Sequence, residues 1–358
     1  MISDTLINPF NTDPSTELPI PPPAIPLWTE YFYFHCYDPD EDIGISMHMG
    51  REPYDSSLYR ATMGIYLPGG EELTVVKTLG RAGHSRGGGT GLLDVTCVEP
   101  FRLWTVSFDG AVQSVSRREN MTRAHSDSVS EPASLYLRYS AKGPMWDLHR
   151  HMEGQKWGSE HYEQLCHVTG EIRVRGKVFK ITNGFGIRDH SRGPRDYSPV
   201  VSNLWMNFSF PSGACVMAQH TEVEGGHIRQ AYIYRNDSSP LEVVELVETP
   251  YISTDDTPDN SLEKDPLMDD SLRHFRIVLK SQRGLETITG ELLHSFATTY
   301  IAPNDELLGT AFEQLSKGQP RATQLTESVA RYTWNGEQGY GVRERVVRLS
   351  ALRQGSET

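Results

Sequence analysis

Between Gly184 and Tyr197 the chain gathers Arg188, Asp189, His190, Arg192, Arg195 and Asp196, so that carboxylates, guanidiniums and one imidazole share a single short segment. Groups of these types move protons when burial or a charged neighbour shifts their affinity for one. An arginine fork holds a carboxylate in fixed geometry. Gly184, Gly186, Gly193 and Pro194 break any helix, so the segment reads as a strand that leaves a sheet, turns and re-enters it. The same charges would also make an Asp/Arg clamp across two strands at a domain junction, and the two roles are compatible.

Other residues offer second positions for chemistry. His35 and Asp38 follow the aromatic run Phe32-Tyr33-Phe34, and Glu163 sits in the dense polar group His161-Tyr162-Glu163-Gln164. His220 and Glu222, two apart on a strand, share one face. His149, His151, His161 and His167, even with Glu160 and Glu163 nearby, lack the spacing of a zinc site, and no HExxH or CxxC occurs; no metal is expected. Gly87 to Gly91 lacks the Gly-Lys-Ser/Thr ending of a phosphate loop and reads as a flexible loop at a barrel mouth, of the kind that forms a lid. Without a Gly-x-Ser-x-Gly elbow, a serine hydrolase is disfavoured.

The elements that must position these groups are β-strands. From Trp28 onward short runs rich in Val, Ile, Thr and aromatics are separated by Gly, Pro, Asn and Asp. Strands are expected at 61–67, 73–79, 103–108, 134–139, 171–175, 204–210, 214–221, 228–235, 274–280, 286–292, 328–334 and 341–348, with a hairpin turn at Asp109-Gly110. Helix is expected only at about 158–166 and 305–316. Many short strands in 358 residues imply two antiparallel barrels or half-barrels in tandem, an all-β protein. The expected layout is a Pro-rich arm at 1–27, a first domain at 28–183, a second at 184–350 and a tail at 351–358. "LWTVSFDG" from Leu103, echoed by "LWMNFSFPSG" from Leu204, suggests two related halves. The acidic stretch from Ser253 to Ser271 reads as a solvated loop.

Composition narrows the function classes. A formal charge of -13 argues against nucleic acid and anionic membrane as partners. No apolar run is long enough to span a membrane, and the start lacks the pattern of a signal peptide. Four scattered cysteines suit free thiols in a reducing cytoplasm better than a disulfide framework. The sequence leaves oligomeric state open.

The text "FHCYDPDEDIG" from Phe34, "HYEQLCHVTGEIRVRG" from His161, "GFGIRDHSRGPRD" from Gly184 and Glu327 to Glu344, ending in Gly339-Tyr-Gly-Val-Arg-Glu344, resembles a family of tandem lipocalin-like proteins of poorly known function. That family is distantly related to carotenoid 1,2-hydratase and to the bacterial attachment-protein group. Its text more often has Trp where this chain has Arg192. The resemblance implies a cofactor-independent acid/base enzyme, a hydratase, dehydratase, isomerase or cyclase, acting on an apolar isoprenoid- or polyketide-like small molecule in a barrel cavity. Such chemistry requires a protonated acid and aromatic faces for developing positive charge, and the 6 Trp, 16 Tyr and 12 Phe supply the faces. Asp189 or Asp196 is then the proton donor, His190 its partner or relay, and Arg188 and Arg195 fix the carboxylates, with Glu163 as a further acid. Tyr232, His220, Trp205, Tyr197, His35 and Asp38 would contact the substrate. The competing expectation is a carrier that holds an apolar ligand by shape alone.

Overall fold

The protein is described by a computed structural model covering residues 7–123, 129–147, 160–194, 200–223, 226–236, 239–250, 273–301, 305–311 and 313–350. It is all-β, because alternating apolar and polar side chains bury one face of each strand. The first ten strands are β1 (Trp28–Asp38), β2 (Ile43–Glu52), β3 (Asp55–Tyr66), β4 (Glu72–Gly80), β5 (Gly87–Gly89), β6 (Leu93–Glu99), β7 (Leu103–Ser116), β8 (Ser130–Asp147), β9 (Glu160–Val174) and β10 (Lys177–Pro194). They form one sheet in the order β4-β3-β2-β1-β10-β9-β8-β7-β6-β5, which a β4–β7 pairing closes into an eight-stranded ring. The other nine are β11 (Val200–Ser209), β12 (Cys215–Val223), β13 (Gly226–Tyr234), β14 (Glu242–Glu248), β15 (His274–Ser281), β16 (Gly284–Ile301), β17 (Asp305–Leu308), β18 (Thr323–Trp334) and β19 (Glu337–Arg348). Their order is β15-β14-β13-β12-β11-β19-β18-β16-β17, and β15–β16 pairing closes a second eight-stranded ring. The expected tandem of lipocalin-like barrels is the observed fold.

In each ring the first strand pairs with the last, β1 with β10 and β11 with β19. The two barrels therefore correspond strand for strand, β1 to β11, β8 to β16, β9 to β18 and β10 to β19. The echo of Leu103 and Leu204 is not this symmetry, since it sets the fifth strand of one ring against the first of the other. The true repeat is Gly184-Phe-Gly-Ile-Arg-Asp189 in β10 against Gly339-Tyr-Gly-Val-Arg-Glu344 in β19.

Compact units do not follow the expected boundary. The first comprises Met1–Gly69, Thr74–Ser114 and Ser128–Tyr197, and the second Gly70–Leu73, Val115–Asp127 and Ser198–Thr358. The position between 183 and 184 falls inside β10, whose residues from Phe185 to Pro194 stay paired with β1. The excursion Val115–Asp127 carries a helix, Arg117–Thr122, capped reciprocally by Ser116 and Glu119. Asn120 fixes it in the second unit by exchanging hydrogen bonds with the backbone of Ala297, 2.6 Å and 3.1 Å long.

The interior of the first barrel is filled by Phe32, Phe34, Met47, Ile65, Val106 and Leu137, and that of the second by Met206, Phe208, Val216, Ile277 and Tyr332. Phe208 stacks on Tyr332 with ring centres 3.7 Å apart. Burying each such side chain contributes roughly 1.5–3 kcal/mol. The four cysteines are buried and free. Among the described residues no helix is long and apolar enough to cross a membrane.

Several local expectations change. Residues 160–166 do not form a helix but belong to β9, and 158 and 159 lie outside the described residues. The 305–316 helix is replaced by β17 and a single turn, Glu313–Ser316. Asp109-Gly110 is not a hairpin turn, because β7 runs straight through it opposite Ser134 and Ala133. Gly87, Gly88 and Gly89 are not a flexible lid but the buried strand β5. A Cβ at Gly88 would lie 2.4 Å from the Tyr59 ring, so the run is glycine because a backbone must pass that close to an aromatic face. The acidic stretch from Ser253 to Ser271 lies outside the described residues.

Candidate active site

Successive side chains on a strand point to opposite faces, and this divides the charged segment of β10 in two. Arg188, His190 and Arg192 point inward with Phe32 and Phe34, whereas Asp189 points outward. His190 therefore cannot relay a proton to Asp189, and Arg188 does not fix its carboxylate. Arg195, Asp196 and Tyr197 lie outside the described residues.

The inward groups form a balanced ionic lattice. Glu17, wholly buried, accepts from Arg188 Nη1 at 2.8 Å, from Trp104 Nε1 at 2.8 Å and from the Phe101 backbone N–H at 3.0 Å. Gln164 Oε1 takes the other edge of Arg188, 2.8 Å from Nη2 and 3.2 Å from Nε. Burial, the largest single influence, would lower the Arg188 pKa, but Glu17 together with Cys166 and Tyr162 raises it, and the net shift is upward. Glu30 lies 3.0 Å from His190 Nε2, 3.2 Å from Arg51 Nε and 3.5 Å from Arg192 Nη1. Arg192 also binds Glu160 at 2.6 Å and the carbonyls of Thr16 and Leu18 at 2.7 and 3.2 Å. His190 is boxed by Phe32, stacked at 4.5 Å, and by Tyr162, whose hydroxyl is 2.6 Å from Nδ1. Burial, then Glu17, pushes the Tyr162 phenol well above its usual range. Residues 16–18 of the Pro-rich arm thus contact the barrel interior through Arg188 and Arg192. Asp13 caps the arm's 3-10 turn by accepting from Ser15 N at 2.9 Å.

The outward face carries the candidate active site. Asp189 pairs in register with Glu163 of β9, and His161, two residues before Glu163, shares that face. His161 Nε2 meets the Asp189 carboxylate directly and lies 3.6 Å from Glu163 Oε1. Glu163 has no exposed side-chain surface, and His161 and Asp189 retain 18% and 13%. Aromatics extend the row on both sides, Tyr33 opposite Asp189 and the fully buried Trp146 opposite Glu163. Tyr33 in turn meets the His48 ring at 4.7 Å. An imidazole between two carboxylates can give and take protons, and rings beside it stabilise a cation. The three ligand atoms lie within 4.8 Å of one another, so a divalent cation would also find one nitrogen and two oxygens there. His161 was the missed member; its signal was His-x-Glu at strand spacing.

The remaining candidates scatter. Asp38 is a structural tie, accepting from the backbone N–H groups of Asp40, Thr182 and Asn183 at 2.9 to 3.0 Å. His35 is fully buried, its ring centre 6.1 Å from that of Tyr66. In the second barrel Trp205 and Tyr232 share the outward face with Gln219, while His220 points to the other face. His220 touches Thr249, His227 and Arg229 at 3.1 to 3.3 Å. Burial, then Arg229 and His227, push its pKa down to about 4. A groove of about 600 Å³ opens on β6 to β9, lined by Asp94, Asp109, Tyr136, Glu171 and Arg173 among others. None of His161, Glu163 or Asp189 lines it, and its charges do not suit an apolar substrate.

Residues 13–263 match the family described as "Domain of unknown function (DUF7064)". The chain belongs to that family. A search of curated proteins found no match. Among solved structures, this DUF7064 chain is similar to a protein of Nitrosomonas europaea solved as an AttH, with 13% identity and TM-score 0.57 over 89% of this chain and 92% of the other. It is similar to CghA with Sch210972, with 13% identity and TM-score 0.52 over 91% and 89%. Kievitone hydratase from Nectria haematococca aligns at 13% identity and TM-score 0.46 over 90% and 89%. For the AttH and CghA structures the likeness is one of fold, and it agrees with the resemblance to tandem lipocalin-like proteins.

Proposed function

We propose that this DUF7064 protein is a proton-transfer enzyme, a hydratase, dehydratase, isomerase or cyclase that needs no redox cofactor, acting on an apolar isoprenoid- or polyketide-like molecule. The observation that carries this reading is the trio His161, Glu163 and Asp189, one imidazole against two carboxylates in register across two strands. Two carboxylates this close disfavour double ionisation, so the trio retains a proton that the imidazole can deliver. Delivery to a substrate double bond or carbonyl leaves positive charge that Tyr33 and Trp146 are placed to stabilise, and the carboxylate left behind removes a proton to finish the cycle. The AttH-like fold, shared with a structure determined with a small molecule, supports a small-molecule substrate.

The test is native mass spectrometry with organic extraction of the purified protein, then turnover of whatever compound is recovered. Asp189→Asn should abolish turnover while the compound still binds and the circular dichroism is unchanged, and a chelator should leave wild-type rate intact. Full turnover by Asp189→Asn would sink the proposal, and loss of rate in chelator would move the chemistry to a metal held by the same three side chains.

A further inference from the structure

Inside the first barrel the Glu17 carboxylate is held by donors from the barrel wall. Three donors converge on the two oxygens of Glu17: a guanidinium edge from β10, and the Trp104 indole N–H and Phe101 backbone N–H from the start of β7 and the turn before it. Arg188 also lies over the Trp104 ring, 5.7 Å from its centre, and Gln164 pins the rest of the guanidinium. Two donors on one oxygen and a charged donor on the other are the requirements for binding a carboxylate. Glu17 reaches the site from a segment outside every strand, and the arm leaves by an exposed run from Pro21 to Pro26. The family match begins at residue 13, the cap of this turn, so the occupying segment is part of the family unit.

We infer that Arg188, Trp104 and the Phe101 N–H form a binding site for a monocarboxylate, held in this structure by Glu17 as a tethered ligand, and that a free small carboxylate enters when Glu17 is withdrawn. The arm is then a reversible occupant of the barrel rather than a fixed piece of wall. Arg343, the repeat equivalent of Arg188 in β19, lies 4.8 Å from the centre of the Phe275 ring, and burial pushes its pKa down to about 10.

The experiment is thermal unfolding of the full-length Glu17→Ala variant in sodium acetate, with acetamide and sodium chloride at matched concentrations. Glu17→Ala removes the atoms that acetate restores, so acetate should raise the variant's Tm by several degrees in a saturable way. Acetamide and chloride should not, wild type should not respond, and adding Arg188→Met should abolish the gain. An equal response to acetate and acetamide, or to acetate with and without Arg188, overturns the inference. Should Glu17→Ala fail to fold, a protease site inserted between Pro22 and Pro23 lets the wild-type arm be cut after folding. Native mass spectrometry should then show the arm retained in chloride and displaced by propionate; release indifferent to carboxylate overturns the inference equally.

Discussion

Across four strands of the first barrel the outward wall reads Tyr33, Asp189, Glu163, Trp146; across the equivalent four of the second it reads Trp205, Glu344, Glu327, Phe296. Both rows are aromatic, acid, acid, aromatic. Beside the acids they part company, since His161 on β9 corresponds to the buried Leu325 on β18. Around Glu344 the second barrel instead sets amides, with Asn203 Nδ2 donating to Glu344 at 3.2 Å and Asn203 Oδ1 accepting in turn from Gln219 and Thr221. Paired acids alone are thus a feature of the repeat, and under the proposed function the imidazole is what would equip the first row for proton transfer.

The comparison breaks most sharply at that position. His161→Leu rewrites the first row as the second, and turnover should fall by roughly 10²–10⁴ with the unfolding midpoint nearly unchanged. Glu344→Gln, in the row where Leu325 stands at the position of His161, should cost less than about tenfold in kcat, measured on the same compound. Retained turnover in His161→Leu would leave the two rows functionally equal.

A second contrast is between equivalent arginines on the inward face. Arg188→Met breaks the buried pair with Glu17 and should cost up to about 3–5 kcal/mol in urea unfolding, less as the arm carries Glu17 out to solvent. Arg343→Met removes a guanidinium whose burial already disfavours its charge, its pKa pushed down to about 10, and should cost clearly less.

The smallest expected effect concerns His220, neutral in the folded second barrel. Its folded pKa near 4 lies below its ordinary 6.5, so the unfolded chain binds the extra proton. Stability is therefore full above pH 6.5 and declines as pH falls toward 4. His220→Gln should flatten that window relative to wild type, and parallel pH profiles would remove His220 as the cause.

How much of this was legible in the sequence depends on the kind of interaction. Alternation placed the strands, because period two is written in every buried wall. The same rule, carried into Arg188 to Arg192, separates Asp189 from His190, although proximity in sequence made them look like one cluster. Glu17 left no signal, since its partner Arg188 lies 171 residues away and the arm around it reads as polar and Pro-rich. The glycines of β5 looked like a loop because the Tyr59 ring that demands them lies on another strand. The repeat was in plain view as GFGIRD and GYGVRE, and only pairing of first with last strands shows that both occupy corresponding positions.

That pairing also dictates when the protein can form. Glu30 meets His190 across 160 residues, so the first ring stays open during synthesis until most of its chain has emerged. The second unit borrows Val115–Asp127 from within the first unit's sequence, so neither can finish from one uninterrupted stretch. Such long-range closure makes folding slow and leaves strand edges uncovered in the nascent chain, which makes assembly in the cell, rather than final stability, the stage most open to chaperones and to aggregation.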